Sequence, residues 1–195
     1  FAMKKLIFLS VLFFLFIQVN AQTSLVKNVP FSNIGPSIMS GRVVDLAVNP
    51  KNPTEFYVAY ASGGIWYTTN NGTSFTAISE NAPTQNMGAI AVDWENGIIW
   101  AGTGESNSSR SSYAGIGVLK STDNGKTWSN VGLTDSQHIG RIVINKNNPN
   151  EVTVAVVGNL YTSNKQRGIF KTKDGGKTWK NTLFLNENTG VIDVS

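Results

Sequence analysis

The hydrophobic residues of this chain follow two patterns. Residues 6–17 form one almost unbroken apolar run, with Ser10 as its sole polar position. From residue 41 onward, apolar and β-branched residues instead come in short bursts bounded by Gly, Asn, Pro or Asp. Bursts of that length with such borders predict strands. No stretch carries the i, i+3, i+4 spacing of a convincing amphipathic helix.

Aligned on one another, the bursts fall into four columns. The first opens with glycine at 41–48, 88–94 and 140–145. The second spans 56–61, 98–103 and 152–157. The third again opens with glycine, at 64–69, 117–122 and 168–173. The fourth starts at an aromatic residue, at 75–79, 128–133 and 179–184. Between the third and fourth columns one phrase recurs: Thr68-Thr-Asn-Asn-Gly-Thr-Ser-Phe75, Ser121-Thr-Asp-Asn-Gly-Lys-Thr-Trp128 and Thr172-Lys-Asp-Gly-Gly-Lys-Thr-Trp179. Its glycines, Gly72, Gly125 and Gly176, lie 53 and then 51 residues apart. Four antiparallel strands per unit at a period near fifty predict β-propeller blades, an all-β fold. The blades are expected at about 41–79, 88–133 and 140–184, with 190–195 as the first strand of a fourth. Three blades and a strand do not close a ring, which needs four or more, so the chain reads as the N-terminal part of a longer protein.

The repeated phrase reads as a structural turn. Asn70, Asp123 and Asp174 are placed to accept backbone N–H bonds within the hairpin, and glycine supplies a positive φ. Phe75, Trp128 and Trp179 begin the fourth strand and are expected to pack over the hairpin.

The N-terminus changes the picture of location. Met3-Lys4-Lys5, the apolar run and Val19-Asn20-Ala21 form a signal peptide, residues 1–21, with the cut before Gln22. The run is too short for a stable membrane span, so the mature chain is expected to be exported and free of one. Residues 22–39 form an N-terminal segment whose 25–29 stretch is a candidate ring-closing strand. Losing Lys4 and Lys5 lowers the formal net charge from +4 to +2, and no Lys/Arg cluster marks a nucleic-acid surface. With no cysteine, neither a disulfide scaffold nor a lipid-anchored lipoprotein is open. One histidine and no cysteine leave no zinc site, and no cofactor is expected.

Function is sought on the loops. The link between columns two and three is about three residues in the first blade but swells to 104–116 and 158–167 in the next two. Long loops on a rigid scaffold carry function. Their hydroxyls, amides, Arg110, Tyr113, Tyr161 and Arg167 suit hydrogen bonding to a glycan or a peptide. Arg42 and Arg141 follow the first-column glycine in blades one and three; they either clamp a carboxylate bidentately or pair with neighbouring acids. Glu105 opens the longest loop and, with Asp45 on a first-column strand, is a candidate catalytic carboxylate. Asp93 reads as a turn residue. His138 is a candidate binding residue or a loop histidine bonded to backbone; no Gly-x-Ser-x-Gly elbow accompanies it to make a triad.

The phrase resembles the Asp-box, or BNR repeat, of sialidases and sortilin-type propellers, fully at 121–128 and 172–179 and with substitutions at 68–75. Ile34-Gly-Pro36, Ser40-Gly-Arg-Val-Val44, Ser62-Gly-Gly-Ile-Trp66, Gly102-Thr-Gly-Glu105 and His138-Ile-Gly-Arg141 are similar to large exported bacterial proteins labelled sortilin-like or BNR-repeat glycosyl hydrolases. The resemblance implies a binding propeller for extracellular glycans or peptides, or alternatively a glycoside hydrolase with part of its catalytic acids in further blades. Xyloglucan-cleaving members carry an acid just before the Gly-Gly of their first blade. Here Ala59-Tyr-Ala-Ser-Gly-Gly64 has none. Sialidases bind a carboxylate with an arginine cluster, yet blade two has Ala89 where blades one and three have arginine.

Overall fold

The computed structural model describes residues 41–110 and 112–195. The signal peptide and the candidate ring-closing strand lie outside the described residues. Twelve strands and no helix occur among the described residues, and they form three four-stranded antiparallel sheets. The first sheet holds β1 Val43–Val48, β2 Phe56–Tyr60, β3 Gly64–Thr68 and β4 Thr76–Ala77. The second holds β5 Met87–Asp93, β6 Ile98–Thr103, β7 Val118–Ser121 and β8 Ser129–Asn130. The third holds β9 Ile139–Ile144, β10 Val152–Val156, β11 Gly168–Thr172 and β12 Lys180–Leu183. Each sheet pairs its strands in chain order, which is the meander of a propeller blade.

The core lies between blades. One cluster joins Tyr57, Ala59 and Ile65 of blade one to Met87, Ile90, Ile99, Ala101 and Leu119 of blade two. The other joins Trp100, Val118 and Ala89 of blade two to Ile139, Ile142, Val152, Val154, Val156 and Phe170 of blade three. The middle sheet is therefore covered on both faces, by blade one on one side and blade three on the other, which is why its strands carry apolar runs rather than strict alternation. Each Val, Leu, Ile, Met or Phe side chain in the two clusters stabilises by roughly 1.5–3 kcal/mol when removed from water.

First-column glycine has a steric cause. A Cβ at Gly88 would stand 2.2 Å from the Ile139 carbonyl oxygen, and one at Gly140 would stand 2.0 Å from that of Ile192. The inner strand of one blade and the backbone of the segment that follows it around the array approach too closely there for any side chain.

Two expectations change. The fourth-column strands are shorter than 75–79, 128–133 and 179–184 would give, two residues in the first two blades. An outer strand is bonded on one side only. At Asn130 a side-chain amide, not the backbone, reaches the Ile116 carbonyl at 2.6 Å. Residues 190–195 form no strand. They run beside blade three, where the Val191 amide donates to the Val156 carbonyl at 2.9 Å, but no described strand pairs with them to build a ladder.

The repeated hairpins are held by their own side chains. The Asp123 carboxylate accepts from the Thr127 amide at 2.9 Å and the Thr127 hydroxyl at 2.6 Å, and Asp174 does the same with Thr178 at 2.9 and 2.5 Å. Asn70 accepts from the Ser74 amide at 3.0 Å. A hydroxyl two residues earlier, absent from the sequence-based picture, completes the lock. The buried Thr68, Ser121 and Thr172 accept from the amides of Gly72, Gly125 and Gly176 at 3.0, 2.8 and 3.0 Å. The residue before each glycine is also left-handed: Asn71 at φ 57°, Asn124 at 58° and Gly175 at 72°. Two successive positive φ values explain the Asn-Gly, Asn-Gly, Gly-Gly series.

The bonds from Thr127, with help from Ser121, hold Asp123 at about 2, below its ordinary 3.8. Thr178 and then Thr172 lower Asp174 in the same way. A carboxyl lowered in the folded state contributes stability above its unfolded pKa and loses it as pH falls through the folded value. Thermal stability is therefore expected to hold from neutrality to about pH 4 and to decline between about pH 4 and 2. In D123N this acid limb is expected to be shallower; identical limbs in calorimetric scans of the two proteins would refute the assignment.

Candidate functional site

One face of the blade array is built from segments leading into the first strands and from loops leaving the second strands. Successive blades are stitched together there. Gly64 donates to the Gln85 carbonyl at 3.0 Å, Gly104 to Asn86 at 2.9 Å, Gly115 to Gln137 at 2.6 Å and Asn164 to Glu187 at 3.1 Å. The loop spanning 104–116 and the loop spanning 158–167 stand on this stitched base.

Glu105 anchors the first loop from beneath. It is wholly buried, although its position in the chain predicts an open loop carboxylate. Arg42 of blade one grips it bidentately, with Nε at 2.8 Å from Oε1 and Nη2 on Oε2. Ser112 donates its hydroxyl to Oε2 at 3.0 Å, and Asn107 donates its amide to Oε1 at 3.2 Å. The Arg42 bond, followed by those of Ser112 and Asn107, holds the Glu105 carboxyl below its ordinary value despite burial. Glu105 is thus an ionised carboxylate with its lone pairs occupied, the reverse of a general acid. Arg42 also donates to Ser109 Oγ at 3.2 Å, and the Ser109 amide donates to Ser112 Oγ at 3.0 Å. The loop is therefore folded around this ion pair.

His138 closes the base. Its Nδ1 lies 2.8 Å from the Glu105 carbonyl oxygen, so the proton sits on Nδ1. Burial pushes its pKa below the ordinary value. The ring is 3% exposed and belongs to the scaffold beneath the loop.

Arg167 departs furthest from its expected place on a ligand surface. It is buried, and its guanidinium donates to the carbonyls of Val157, Asn159 and Thr162, the first at 2.7 Å. It ties the 158–167 loop into a closed form. Gly158 makes room for it: a Cβ there would lie 2.5 Å from Arg167 Cγ.

Arg42 and Arg141 do not form a shared clamp. Arg141 donates to Asp193 at 2.8 Å and to Asp45 at 3.3 Å, both separate from Glu105. Asp45 also accepts from the Ile90 amide at 3.0 Å, bridging blades one and two. Asp93 caps its own turn, accepting from the Glu95 amide at 3.1 Å and the Asn96 side chain at 2.6 Å.

What remains outward on this face is aromatic and cationic. Tyr113 is 57% exposed and Tyr161 76% exposed. Arg110 is also exposed, on the first loop. The Tyr161 hydroxyl reaches the Ser109 carbonyl at 3.4 Å, which brings the two loops together. Among the described residues, no group of three or more His, Asp or Glu could hold a metal ion, and no helix is long and apolar enough to cross a membrane.

The architecture and this loop face define a class, the β-propeller. Solved structures agree. An ancestral GH74 enzyme superposes with a TM-score of 0.53 at 24% identity, covering 71% of this chain and 18% of that one. The GH74 enzyme of Niastella koreensis gives 0.52 at 24% identity, over 70% and 20%. YCF48 bound to D1 peptide gives 0.53 at 13% identity, over 77% and 43%. Among curated proteins, a xyloglucanase from Paenibacillus is 32% identical over 133 residues, 66% of this chain. Vacuolar protein sorting/targeting protein 10 of Kluyveromyces lactis is 33% identical over 86 residues, 42% of this chain. The chain spans 12% and 5% of those two relatives. No family model matches it.

Proposed function

We propose that this chain is part of an exported propeller of the Asp-box, sortilin-like kind, completed by further blades. Its loop face binds an extracellular glycan or peptide. The carrying observation is the pair of exposed tyrosines, Tyr113 and Tyr161, on adjoining loops locked from beneath by Glu105 and Arg167. Tyrosine offers a rigid apolar face and a hydroxyl, and a pre-ordered loop loses little entropy on binding. Arg110 adds donors for a carboxylate or a carbonyl. The solved complex of YCF48 with a peptide supports peptide recognition by this fold, and the likeness to a xyloglucanase supports glycans.

Glycan and peptide arrays probed with the protein test this reading. Tyr113→Ala and Tyr161→Ala are each expected to weaken the binding found by about tenfold. Their melting temperatures should stay close to wild type, because both rings are exposed. Binding that survives the double substitution undiminished would sink the proposal.

The likeness to a xyloglucanase over 133 residues favours a second reading, a glycoside hydrolase. Its catalytic acids would be Asp45 together with groups outside this chain, since Glu105 is wholly buried while Asp45, though bonded to Arg141 and the Ile90 amide, keeps part of its side chain in solvent. Glycosidase turnover abolished in Asp45→Asn, with folding intact, would replace the binding reading with this one.

A further inference from the structure

At both junctions between blades, one hairpin fills one hollow. At the first, the Trp128 indole donates to the Ile78 carbonyl at 3.1 Å. Gly125 lies so close to Ile78 that a Cβ would be 2.7 Å from its Cδ1. At the second, the Trp179 indole donates to the Val131 carbonyl at 2.7 Å. Gly176 packs on Trp100 and Val131, each about 3.1 Å from where its Cβ would be. Lys120 adds a clip, with Nζ donating to the Gly175 carbonyl at 3.0 Å.

The receiving positions are equivalent by repeat. Ile78 and Val131 each lie three residues after the hairpin aromatic, Phe75 or Trp128. Tyr57 and Trp100 sit opposite Tyr67 and Lys120 in the ladder of second and third strands. In blade three the same places hold Thr182, Thr153 and Lys171, the last two paired across β10 and β11. These three residues, with Val143, Ile169, Leu183 and the Val194-Ser195 end of the chain, line a hollow of about 370 Å³ on the far face of that blade. Leu183 is 46% exposed there.

We propose that this hollow is a third copy of the hairpin socket. Its occupant is a hairpin of the Asp-x-Gly-x-Thr-Trp kind, carried by a blade other than the three described. Its indole N–H meets the Thr182 carbonyl, and Lys171 donates to the carbonyl beside its glycine. A second copy of this chain fits less well. The hairpin it has to offer, 68–75, ends in Phe75, which has no N–H for that acceptor. The proposal rests on the blade architecture and not on the loop face, so glycan or peptide binding stands or falls separately.

The test extends the chain. Gly190 lies 50 residues after Gly140, so a copy of residues 146–188 added after Ser195 continues the repeat in register. The extended protein is expected to melt at least about 5 °C above the 195-residue chain. Lys171→Ala, and Trp→Phe in the added hairpin, should each remove part of that gain. Lys171→Ala in the 195-residue chain should change nothing, because that side chain is exposed. An extended chain that melts where its parent does, with the added segment open to protease, overturns the proposal. So does a gain insensitive to both substitutions. A 195-residue chain that sediments as a dimer and dissociates on Lys171→Glu also overturns it, by giving the socket to a second copy.

Discussion

Trp100→Ala is expected to lower the stability of the blade array by about 3–5 kcal/mol, the largest loss for a single side chain here. Trp100 is 1% exposed and sits between blades two and three. Trp179 meets its ring edge-on at a centroid distance of 6.3 Å, and the Lys120 ammonium lies 4.5 Å from its centroid. Gly176 lies against its far edge. Truncation therefore removes the apolar area and leaves a cavity that main-chain atoms cannot collapse to fill. It also frees Lys120, whose pKa burial now lowers. Trp179→Phe is the companion. It keeps most of the packing but loses the N–H to the Val131 carbonyl, so it should cost only about 1 kcal/mol. Urea titrations of the two variants check the order. Equal losses would show that the indole hydrogen bonds, and not the packing, join the blades. In a stacked array stability is shared between neighbours, so the Trp100 variant should loosen blade three ahead of blade one.

The second large effect is expected at Glu105. Glu105→Gln should destabilise by about 2 kcal/mol, because a neutral amide turns an N–H₂ group toward the donors that the carboxylate satisfied. Arg42 is half exposed and rehydrates, which limits the loss; Ser112 and Asn107 are freed along with it. The difference from wild type depends on pH. Glu105 is lowered in the folded state, so its contribution is complete above its ordinary value of 4.5 and fades as pH falls through the folded value. The gap between wild type and Glu105→Gln should therefore be constant at neutral pH and shrink in acid. Denaturant titrations at several pH values measure it. A gap that widens in acid would contradict the ion-pair assignment. The glycan or peptide binding proposed for this face should weaken along with the loop, since Ser109 and Ser112 are held by the Arg42–Glu105 pair.

Much of the fold was legible in the chain. Glycine, β-branched and aromatic residues act locally: they set strand borders, turn type and period without reference to distant residues. The Asn-Gly, Asn-Gly, Gly-Gly series alone encodes a hairpin with two left-handed residues. The hydroxyl at Thr68, Ser121 and Thr172 was also visible as a regular feature of the phrase. Its role was not, because a serine or threonine in a strand usually bonds elsewhere.

The loop face was legible only as a location. Arg42, Glu105, Arg110, Tyr113, His138, Tyr161 and Arg167 were grouped by membership of loops or loop junctions; Glu105 and Arg167 were read as outward-facing, while Arg42 was left between a ligand carboxylate and a neighbouring acid, and His138 between a ligand and the backbone. Folding divided them. Arg42 and Glu105 are 63 residues apart in the chain and in direct contact in space. No local pattern announces that a carboxylate beside Gly104 will be wholly buried beneath its own loop and against an arginine of the preceding blade. The same holds for Arg167, whose partners are three main-chain carbonyls that carry no sequence signature.

By itself, then, the amino-acid sequence determined the repeat, the four-stranded unit and the hairpin chemistry, since each depends on residues close together in the chain. Only the tertiary structure decided which charged side chains serve the scaffold and which stay free. Burial and counter-charge are set by how one blade meets the next. That contact turned Glu105 into a support, the closing of its own loop did the same for Arg167, and Tyr113, Tyr161 and Arg110 were left facing outward.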